Sequence, residues 1–580
     1  MAAPCFSRWN GWPIWPVLTV LLMGVPLLFL RLGALPFHGE ESRRVQIARE
    51  MWQTGDFLVP RLQGHPWPTK PPLYYWLLAG VIALSGSLDP WVMRVPSALA
   101  TLTTATLLAW YVQPTLPRWA AFATGFVFLT FGDILDSGHD AEMDATFCLW
   151  VTAALLLWYG GRERGWSPYL YWTLGYGLTA LACLTKGLQG PIYFGAAAYG
   201  WLLLTRRGRE LLQPAHFVGL MLFTALLLAW MIPFAAHQGL ESWKAVFLHE
   251  SVSRTVASDG SRFVQHLWLF PLKWTGSLLP WSPLLLGYLL PSVRHRVRTH
   301  QPATCFAGLA LVLAFPTCWL PPGGEERYLR PVLPCVAVML GTLLSLVDFS
   351  PLPTQQATTQ PVFASGLWRG FLAGWGLAAL AAAVALLAVS FGSWSERLRD
   401  WQEPWPVACG CALLAGGIGF ALLCWAGPAR TTTPLPAVLA LGLLACLCVT
   451  GLLTNRNQRR QVDAVGAVAA LRQLLGAEAR LVSFGPVNHL FLLLYQEPIE
   501  RRDWPRTPDE GSVAAGDYFC FDAFRGVHPP LPFVWEEVAR LTMDRTQRPL
   551  ADNIVIVGRR ISREEAVARR GAATLHGIFP

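Results

Sequence analysis

Polar side chains that could handle protons and phosphate occur between the long apolar runs of this sequence. A carboxylate can take a proton from an attacking hydroxyl or amine. Lysine and arginine can hold and neutralise a phosphate leaving group, arginine through a two-pronged contact. The candidates are Glu40, Glu41, Arg43, Lys70, Asp140, Glu142, Asp144, Lys186, His249, Glu250, Arg254, Glu325, Glu326, Arg327 and Tyr328.

The elements that must position these residues are membrane spans. The 580 residues are 53% hydrophobic and only 14% charged, whereas a soluble protein would be about one quarter charged. This composition excludes a soluble enzyme, a disordered chain and a disulfide scaffold. The net charge of +9 arises from short basic clusters between apolar runs, so it indicates membrane topology and not nucleic-acid binding.

We predict a polytopic α-helical membrane protein with about 13 spans. The spans are residues 13–31, 93–112, 119–136, 143–160, 168–185, 188–205, 214–236, 268–290, 303–320, 327–347, 366–391, 405–427 and 433–453. The apolar stretch 71–84 is short for a crossing and is more typical of a re-entrant or interfacial helix.

Arginine clusters decide which loops face the cytoplasm, because short cytoplasmic loops are enriched in Lys and Arg. Two predicted spans separate each cluster from the next, so all three lie on the same side. The clusters are Arg162 and Arg164; Arg206, Arg207 and Arg209; and Arg294, Arg296 and Arg298. With a cytoplasmic N-terminus, segment 71–84 then dips into the outer leaflet and returns. The same count places the candidate residues and the C-terminus outside.

The first external loop, about residues 32–92, begins with the predicted helix GEESRRVQIAREMW. Val45, Ala48, Met51 and Trp52 recur every three to four residues, the pattern of a helix on the membrane surface. Carboxylates at its N-terminus, Glu40 and Glu41, are favoured by the helix dipole. Capping of this helix is the structural alternative to a catalytic role.

Residues 455–580 are charged and polar, and we predict that they form an external α/β domain after a transmembrane domain of residues 1–454. Strand-like runs are Arg480–Phe484, Asp517–Phe521 and Asn553–Val557, and helical patterns are Val462–Leu475, Asn488–Tyr495 and Val534–Leu541. This domain has no glycine-rich phosphate loop and no metal-ligand cluster in its sequence.

Several ordered motifs resemble a known family. The stretch from His38 to Leu78 has an acidic pair, a TGD-x-x-x-P-R run and KPPLYYW. It resembles the first external loop of bacterial lipid-linked-sugar glycosyltransferases of the GT-C type, above all the aminoarabinose transferases of lipid A and the protein O-mannosyltransferase-like group. Weaker matches follow in family order at residues 143–150, 184–187, 249–254 and 327–334.

The resemblance implies an inverting glycosyl transfer on the external face of the bacterial cytoplasmic membrane. The donor would be a polyprenyl-phosphate-linked sugar, and the acceptor a lipid, a glycan or a protein. Glu40 matches an acidic family residue, usually Asp, that acts as general base or orients the acceptor, with Glu41 supporting the loop. The choice between Glu40 and Glu41 stays open, since the usual residue is shorter than Glu40.

The family also implies roles for the cations. Lys70 matches a lysine that contacts the donor phosphate, and Arg43 matches an arginine of the same loop. Asp144 is the candidate for the second acidic residue of the site, with Asp140 as the alternative. The residues that match the family's donor cavity are Lys186, His249, Arg254 and Tyr328. Lysines that snorkel to the interface, helix caps and an interfacial tyrosine are the structural alternatives.

Thr69 stands where relatives often have a glutamate that binds a metal, so the sequence predicts no resident metal, with a divalent ion as the alternative. A lipid or sugar transporter is the second functional class. It would place paired ionisable groups near the bilayer midplane, on broken helices. A binding protein with a decayed catalytic loop is the third.

Overall fold

The computed structural model describes residues 14–249, 260–347, 365–392, 396–427, 434–476, 479–507, 513–514, 516–523, 530–544, 553–562, 565 and 575–576. These residues form two compact units. The transmembrane unit comprises Met1–Ala34, Pro68–Tyr74 and Arg94–Arg456, and the loop-and-sheet unit comprises Leu35–Trp67, Tyr75–Met93 and Asn457–Pro580. The functional division into domains 1–454 and 455–580 stays a prediction.

Most of the described chain is helical. The first helices are α1 (Trp15–Phe29), α2 (Glu41–Thr54), α3 (Leu73–Ser85), α4 (Pro90–Val112), α5 (Arg118–Leu129), α6 (Gly132–Ser137), α7 (Met143–Glu163), α8 (Pro168–Lys186), α9 (Gln189–Leu204) and α10 (Pro214–Lys244). Later helices are Gly260–Ser277, Pro291–His300, Pro302–Ala314, Pro316–Trp319, Leu333–Ser345, Ser365–Phe391, Glu396–Arg399, Trp405–Ala426, Leu435–Cys446, Thr454–Arg460, Ala464–Leu475 and His489–Tyr495. Short 3₁₀ helices are Gly208–Leu212, Ser282–Leu289 and Glu326–Val332, and π-helical turns are Ala245–His249 and Leu447–Leu453.

Eight helices among the described residues are long and apolar enough to cross a membrane, and α1, α3 and α5 are shorter apolar helices. The polytopic helical class is thus confirmed, while the number of 13 spans stays a prediction. Helix α3 has 13 residues, which is short for a crossing, as expected for segment 71–84. Its return to the outer leaflet also stays a prediction.

The predicted span 268–290 is wrong as one continuous helix. The helix Gly260–Ser277 ends, and the 3₁₀ helix Ser282–Leu289 follows after a break. Pro280 and Pro283 lie at this break. Because proline lacks a backbone N–H and clashes with the preceding turn, it interrupts the helical hydrogen bonds. These prolines are visible in the sequence and were the available signal for the break.

Aromatic packing fixes α7 against its neighbours in the transmembrane unit. The ring of Trp158 in α7 lies 5.4 Å from that of Trp172 in α8 and 6.2 Å from that of Phe194 in α9. Ring pairs at such distances add about 0.5–1.5 kcal/mol each beyond the burial of their area. Helices α7 and α8 run antiparallel, so the first turn of α7 lies beside the last turn of α8.

The loop-and-sheet unit holds a hairpin, β1 (Arg61–Leu62) and β2 (His65–Pro66), and a larger mixed sheet. The sheet strands are β3 (Leu481–Phe484), β4 (Glu500–Arg502), β5 (Tyr518–Asp522), β6 (Trp535–Thr542), β7 (Ile554–Arg560) and β8 (Leu575–His576). Their order is β4-β3-β5-β7-β6-β8, with β3 parallel to β4 and β5 and the other pairs antiparallel. The small α/β region and its predicted strands at 480–484, 517–521 and 553–557 are confirmed.

The helix predicted at Val534–Leu541 is wrong, because this segment forms strand β6. Its residues pair antiparallel with β7, and the ring of Trp535 lies 5.5 Å from that of Phe519 in the sheet core. Glu, Ala and Arg in this segment favour a helix in isolation. Cross-strand pairing and the burial of Trp535 outweigh that preference.

Candidate active site

Three of the candidate residues meet where α7 begins and α8 ends. Lys186, in the last turn of α8, donates a hydrogen bond to Oδ1 of Asp144, in the first turn of α7. Both side chains are buried, and the Lys186 ammonium nitrogen lies 4.9 Å from the centre of the Tyr328 ring. The helix dipoles favour this placement, since an anion lies at a helix N-terminus and a cation at a C-terminus.

Two arginines close to Tyr328 in the chain, Arg327 and Arg330, add positive charge to this group. The charges of Arg330 and Arg327 both act on Asp144. Arg327 is itself held by Glu325, at 2.5 Å from Nε to Oε2. Lys186 and these two arginines bring three cations to this end of the transmembrane unit, each beside a carboxylate. Such cations can bind a phosphate-bearing substrate.

Arg330 was missed by sequence reasoning. Its Nε and Nη2 donate to the two carboxylate oxygens of Asp133, at 2.7 and 3.0 Å, and Nη2 also donates to Oγ of Ser137 at 2.6 Å. The guanidinium group is buried, so this two-pronged contact ties the turn before the helix Leu333–Ser345 to α6. Its position in the RYLRPVLP run was the available signal.

The backbone at Tyr328 is held by the start of α9. Gln189 Nε2 donates to the Tyr328 carbonyl oxygen at 3.0 Å, and the Tyr193 hydroxyl donates to the same oxygen at 3.3 Å. Two donors on one carbonyl limit the positions that the Tyr328 ring can take over Lys186. Neither Gln189 nor Tyr193 stood out in the sequence.

A second charged contact lies at the far end of α7. Arg162 Nε and Nη2 donate to the two carboxylate oxygens of Glu210, each at 2.9 Å. Asp144 and Arg162 are 18 residues apart on one helix, which corresponds to about 27 Å. The loops after α7 and after α9 therefore meet at the end of α7 opposite to Asp144 and Lys186.

For the remaining candidates of the transmembrane unit, the structure gives burial or position in the chain but not their contacts. Lys70 is buried just before α3, and Asp140 is buried before α7. His249 ends a π-helical turn, but its side chain lies outside the described residues. Arg254 and Glu250 lie entirely outside them. The roles of these residues stay predictions.

Glu40 immediately precedes α2 in the loop-and-sheet unit. Its side chain makes no capping hydrogen bond to the helix. Instead, Oε2 lies 2.5 Å from Nη1 of Arg43 and 3.8 Å from Nη2 of Arg44. The Arg43 guanidinium group lies over the Trp67 ring, 5.3 Å from its centre. Glu40 is therefore a partly exposed carboxylate beside two cations, and not a helix cap.

Glu41 holds the chain that leads into α2. Its side chain is fully buried, and Oε2 accepts a hydrogen bond from the His38 backbone N–H at 3.1 Å. Nδ1 of His38 lies 3.2 Å from the same oxygen. This arrangement fits the supporting role that the resemblance implies for Glu41.

The apolar stripe expected on α2 is only partly as predicted. Val45, Ala48 and Met51 are buried, but Trp52 is about half exposed. Arg44 is not part of this stripe, but it is buried and donates to the Tyr75 hydroxyl at 3.1 Å. The helix is thus packed within protein on more than one face, because α3 covers part of the side that the pattern assigned to water.

Helix α2 and the turn of the β1–β2 hairpin also contact the C-terminal region of their own unit. Oγ of Ser42 lies 2.7 Å from Nδ1 of His489, and Nε2 of Gln63 donates to Oγ of Ser483 at 2.6 Å. These contacts join residues more than 400 positions apart. The first loop and the sheet therefore fold as one unit, an association with no signal in the local sequence.

Within the described ranges, no group of three or more His, Cys, Asp or Glu side chains could hold a metal ion. The acidic residues that are instead paired with Lys, Arg or His are Glu40, Glu41, Asp133, Asp144, Glu210 and Glu325. The expectation of no resident metal stays a prediction.

Comparisons with known proteins identify the family. A model of dolichyl-phosphate-mannose-protein mannosyltransferases matches residues 69–234. An undecaprenyl phosphate-alpha-4-amino-4-deoxy-L-arabinose arabinosyl transferase of Pseudomonas paraeruginosa is 30% identical over 436 residues, 70% of this chain and 75% of that protein. The chain belongs to the GT-C glycosyltransferase family of the aminoarabinose transferases. The predicted family is thereby confirmed.

Other relatives match this chain over different shares of its length. A transferase of the same name from Aeromonas salmonicida is 28% identical over 69% of this chain and 76% of its own length. The match with arabinosyl transferase 2 of Pseudomonas fluorescens covers 56% of this chain and 57% of that relative. ArnT from Cupriavidus metallidurans, solved bound to undecaprenyl phosphate, aligns with a TM-score of 0.68 at 19% identity, over 94% of this chain and 98% of that chain. This likeness shows a shared GT-C fold.

Proposed function

We propose that this family member transfers 4-amino-4-deoxy-L-arabinose from undecaprenyl phosphate to an acceptor on the outer face of the bacterial cytoplasmic membrane. The names of its relatives support the choice of donor. The observation that carries the proposal is the buried pair of Asp144 and Lys186 beside the Tyr328 ring, together with the nearby charges of Arg327 and Arg330.

The proposed chemistry is a displacement with inversion at the anomeric carbon. Glu40 takes the proton from the acceptor group, whose oxygen or nitrogen forms the new bond to that carbon. The bond from the carbon to the phosphate oxygen breaks, and undecaprenyl phosphate leaves with the electron pair. Lys70, Lys186 and Arg254 stabilise the phosphate, and the leaving group needs no strong acid.

The outward orientation rests on the two ends of α7. Arg162 and Glu210 join two loops that carry the arginine clusters expected in the cytoplasm. Asp144 lies at the opposite end, about 27 Å away along the helix. This separation supports an external position for Asp144 and Lys186.

The test uses the purified full-length chain in lipid nanodiscs with a donor labelled in the aminoarabinose. Three acceptor pools are offered separately: envelope glycolipids, soluble glycans and envelope proteins. We expect label in one pool and an equal amount of free undecaprenyl phosphate. A parallel reaction with a chelator measures metal dependence, and Glu40→Gln is the inactive control.

Two outcomes would contradict the proposal in different ways. Transfer only from a donor carrying another sugar would refute aminoarabinose and retain glycosyl transfer. The same chain is also reconstituted in sealed vesicles. Movement of intact labelled donor across these vesicles, with no label in any acceptor pool, would favour the transporter and refute the transferase.

A further inference from the structure

The loop-and-sheet unit contains a cavity of about 1540 Å³ that has no role in the proposed transfer. It is lined by α2, by the β1–β2 hairpin and by the ends of β3, β4 and β5. Small-molecule pockets are typically about 300–1,000 Å³, so this cavity has room for more than one sugar ring. Its polar lining residues include Gln46, Arg49, Gln63, Arg480, Arg501 and Tyr518.

Two buried amide oxygens in this lining have no donor among the described residues. Gln46 is 7% exposed, and its Nε2 donates to Glu50 at 2.9 Å, which sets the direction of the amide. Nε2 of Gln63 donates to Ser483 and, at 3.3 Å, to the Ile499 carbonyl. In both residues Oε1 is buried and unpaired within the described chain. A buried acceptor without a donor is unfavourable, so both sites favour a ligand with hydroxyl or amine hydrogens.

Two arginines of the cavity lining are not paired with a carboxylate among the described residues. The acidic lining residues already have hydrogen-bond partners: Glu50 accepts from the Gln63 and Gly64 N–H groups, and Glu497 pairs with Arg472. Glu500 pairs with Arg502, and Asp517 accepts from the Ala514 N–H group. In contrast, Arg480 and Arg501 have no carboxylate partner within the part of the chain that the structure describes. Their guanidinium groups can bind an oxyanion by a two-pronged contact.

We propose that this cavity binds a saccharide that carries an acidic group. Sugar hydroxyls donate to the oxygens of Gln46 and Gln63, and the acidic group accepts from Arg480 and Arg501. Tyr518 also lines the cavity and offers a partly exposed ring against which a sugar can pack. The site is additional to the one that handles the donor phosphate, and it does not depend on the proposed transfer reaction.

Binding is measured by calorimetry on the full-length chain in nanodiscs, without donor. The probes are trigalacturonic acid and glucose 6-phosphate, with maltotriose and inorganic phosphate as controls for the neutral sugar and the anion. We expect at least one acidic saccharide to bind at least tenfold more tightly than either control. Equal binding of inorganic phosphate would show an anion site only and overturn the proposal, as would the failure of both acidic saccharides.

Variants test the assigned contacts. Gln46→Leu should weaken binding of the acidic saccharide at least tenfold. The double variant Arg480→Ala with Arg501→Ala should bind the acidic saccharide no more tightly than maltotriose. Arg506→Ala removes an exposed guanidinium group outside the cavity and should change neither the affinity for the acidic saccharide nor its preference over maltotriose. If Gln46→Leu lowers the unfolding temperature, Arg501→Ala still tests the proposal, because the Arg501 side chain is partly exposed and its loss should not unfold the protein. Unchanged affinity in the arginine variants would overturn the assignment.

Discussion

Lys186 donates a hydrogen bond to Asp144 where the last turn of α8 lies beside the first turn of α7, and both side chains are buried. The pair joins residues 42 positions apart and lies next to the Tyr328 ring. It makes this end of the two helices the most strongly supported part of the candidate site.

Lys186→Met should destabilise the protein because it leaves a buried carboxylate without its cation. Breaking a buried ion pair costs about 3–5 kcal/mol, whereas replacing both charges costs far less. We therefore expect Lys186→Met with Asp144→Asn to unfold at a higher temperature than Lys186→Met alone. Thermal unfolding of the parent, Lys186→Met, Asp144→Asn and the double variant in one detergent measures this. Additive losses would show that the two residues are not coupled.

Glu40→Gln should lower the turnover number about 10²–10⁴-fold with little change in the unfolding temperature, since a general base contributes about that factor. Glu40→Asp should keep much of the activity, because the family usually has aspartate there. Glu41→Gln should instead mainly lower the unfolding temperature, because Glu41 is buried against His38. Full turnover in Glu40→Gln would assign the base to another residue.

Lys70→Ala should raise the KM for the donor more than the KM for the acceptor. A hydrogen bond to a charged group contributes about 1.5–3 kcal/mol, which corresponds to roughly 10- to 150-fold. Lys273→Ala is the matched control, since Lys273 is mostly exposed and pairs with Glu326 at 3.5 Å. Steady-state kinetics with each substrate varied in turn measure the effect. An equal rise in both KM values would argue against a phosphate contact.

Arg330→Lys should be less stable than the parent protein although it keeps the charge, because lysine cannot reproduce the two-pronged contact with Asp133. Arg330→Met should lose more stability than Arg330→Lys, since it leaves Asp133 without a cation. Unfolding temperatures of the two variants measure the order. Equal stability of Arg330→Lys and the parent would show that the charge alone matters.

The stability of the loop-and-sheet unit should fall as the pH rises above about 8.5. Burial raises the pKa of the Cys520 thiol well above its ordinary value. The unfolded thiol ionises near pH 8.5 while the folded one stays protonated, so higher pH favours the unfolded state by up to about 1.4 kcal/mol per pH unit. Unfolding of the parent and of Cys520→Ala at pH 7.5 and 9.5 measures this. The same loss in both would exclude Cys520 as its source.

The sequence alone determined the membrane class, the approximate positions of most spans and the family. Apolar runs and basic clusters are local features, and the partition of a segment between water and lipid depends on its composition. The motif from His38 to Leu78 is also continuous in the chain. Such properties can be read without knowing which distant residues meet.

Tertiary structure alone decided the contacts of the candidate site. The pairing of Lys186 with Asp144, the role of Arg330 and the attachment of Gln63 to Ser483 join segments that are distant in sequence. Strand β6 shows the same limit, because its pairing with β7 outweighs a local preference for helix. Burial and partners depend on how helices and strands pack in space, and residue spacing along the chain does not contain that information.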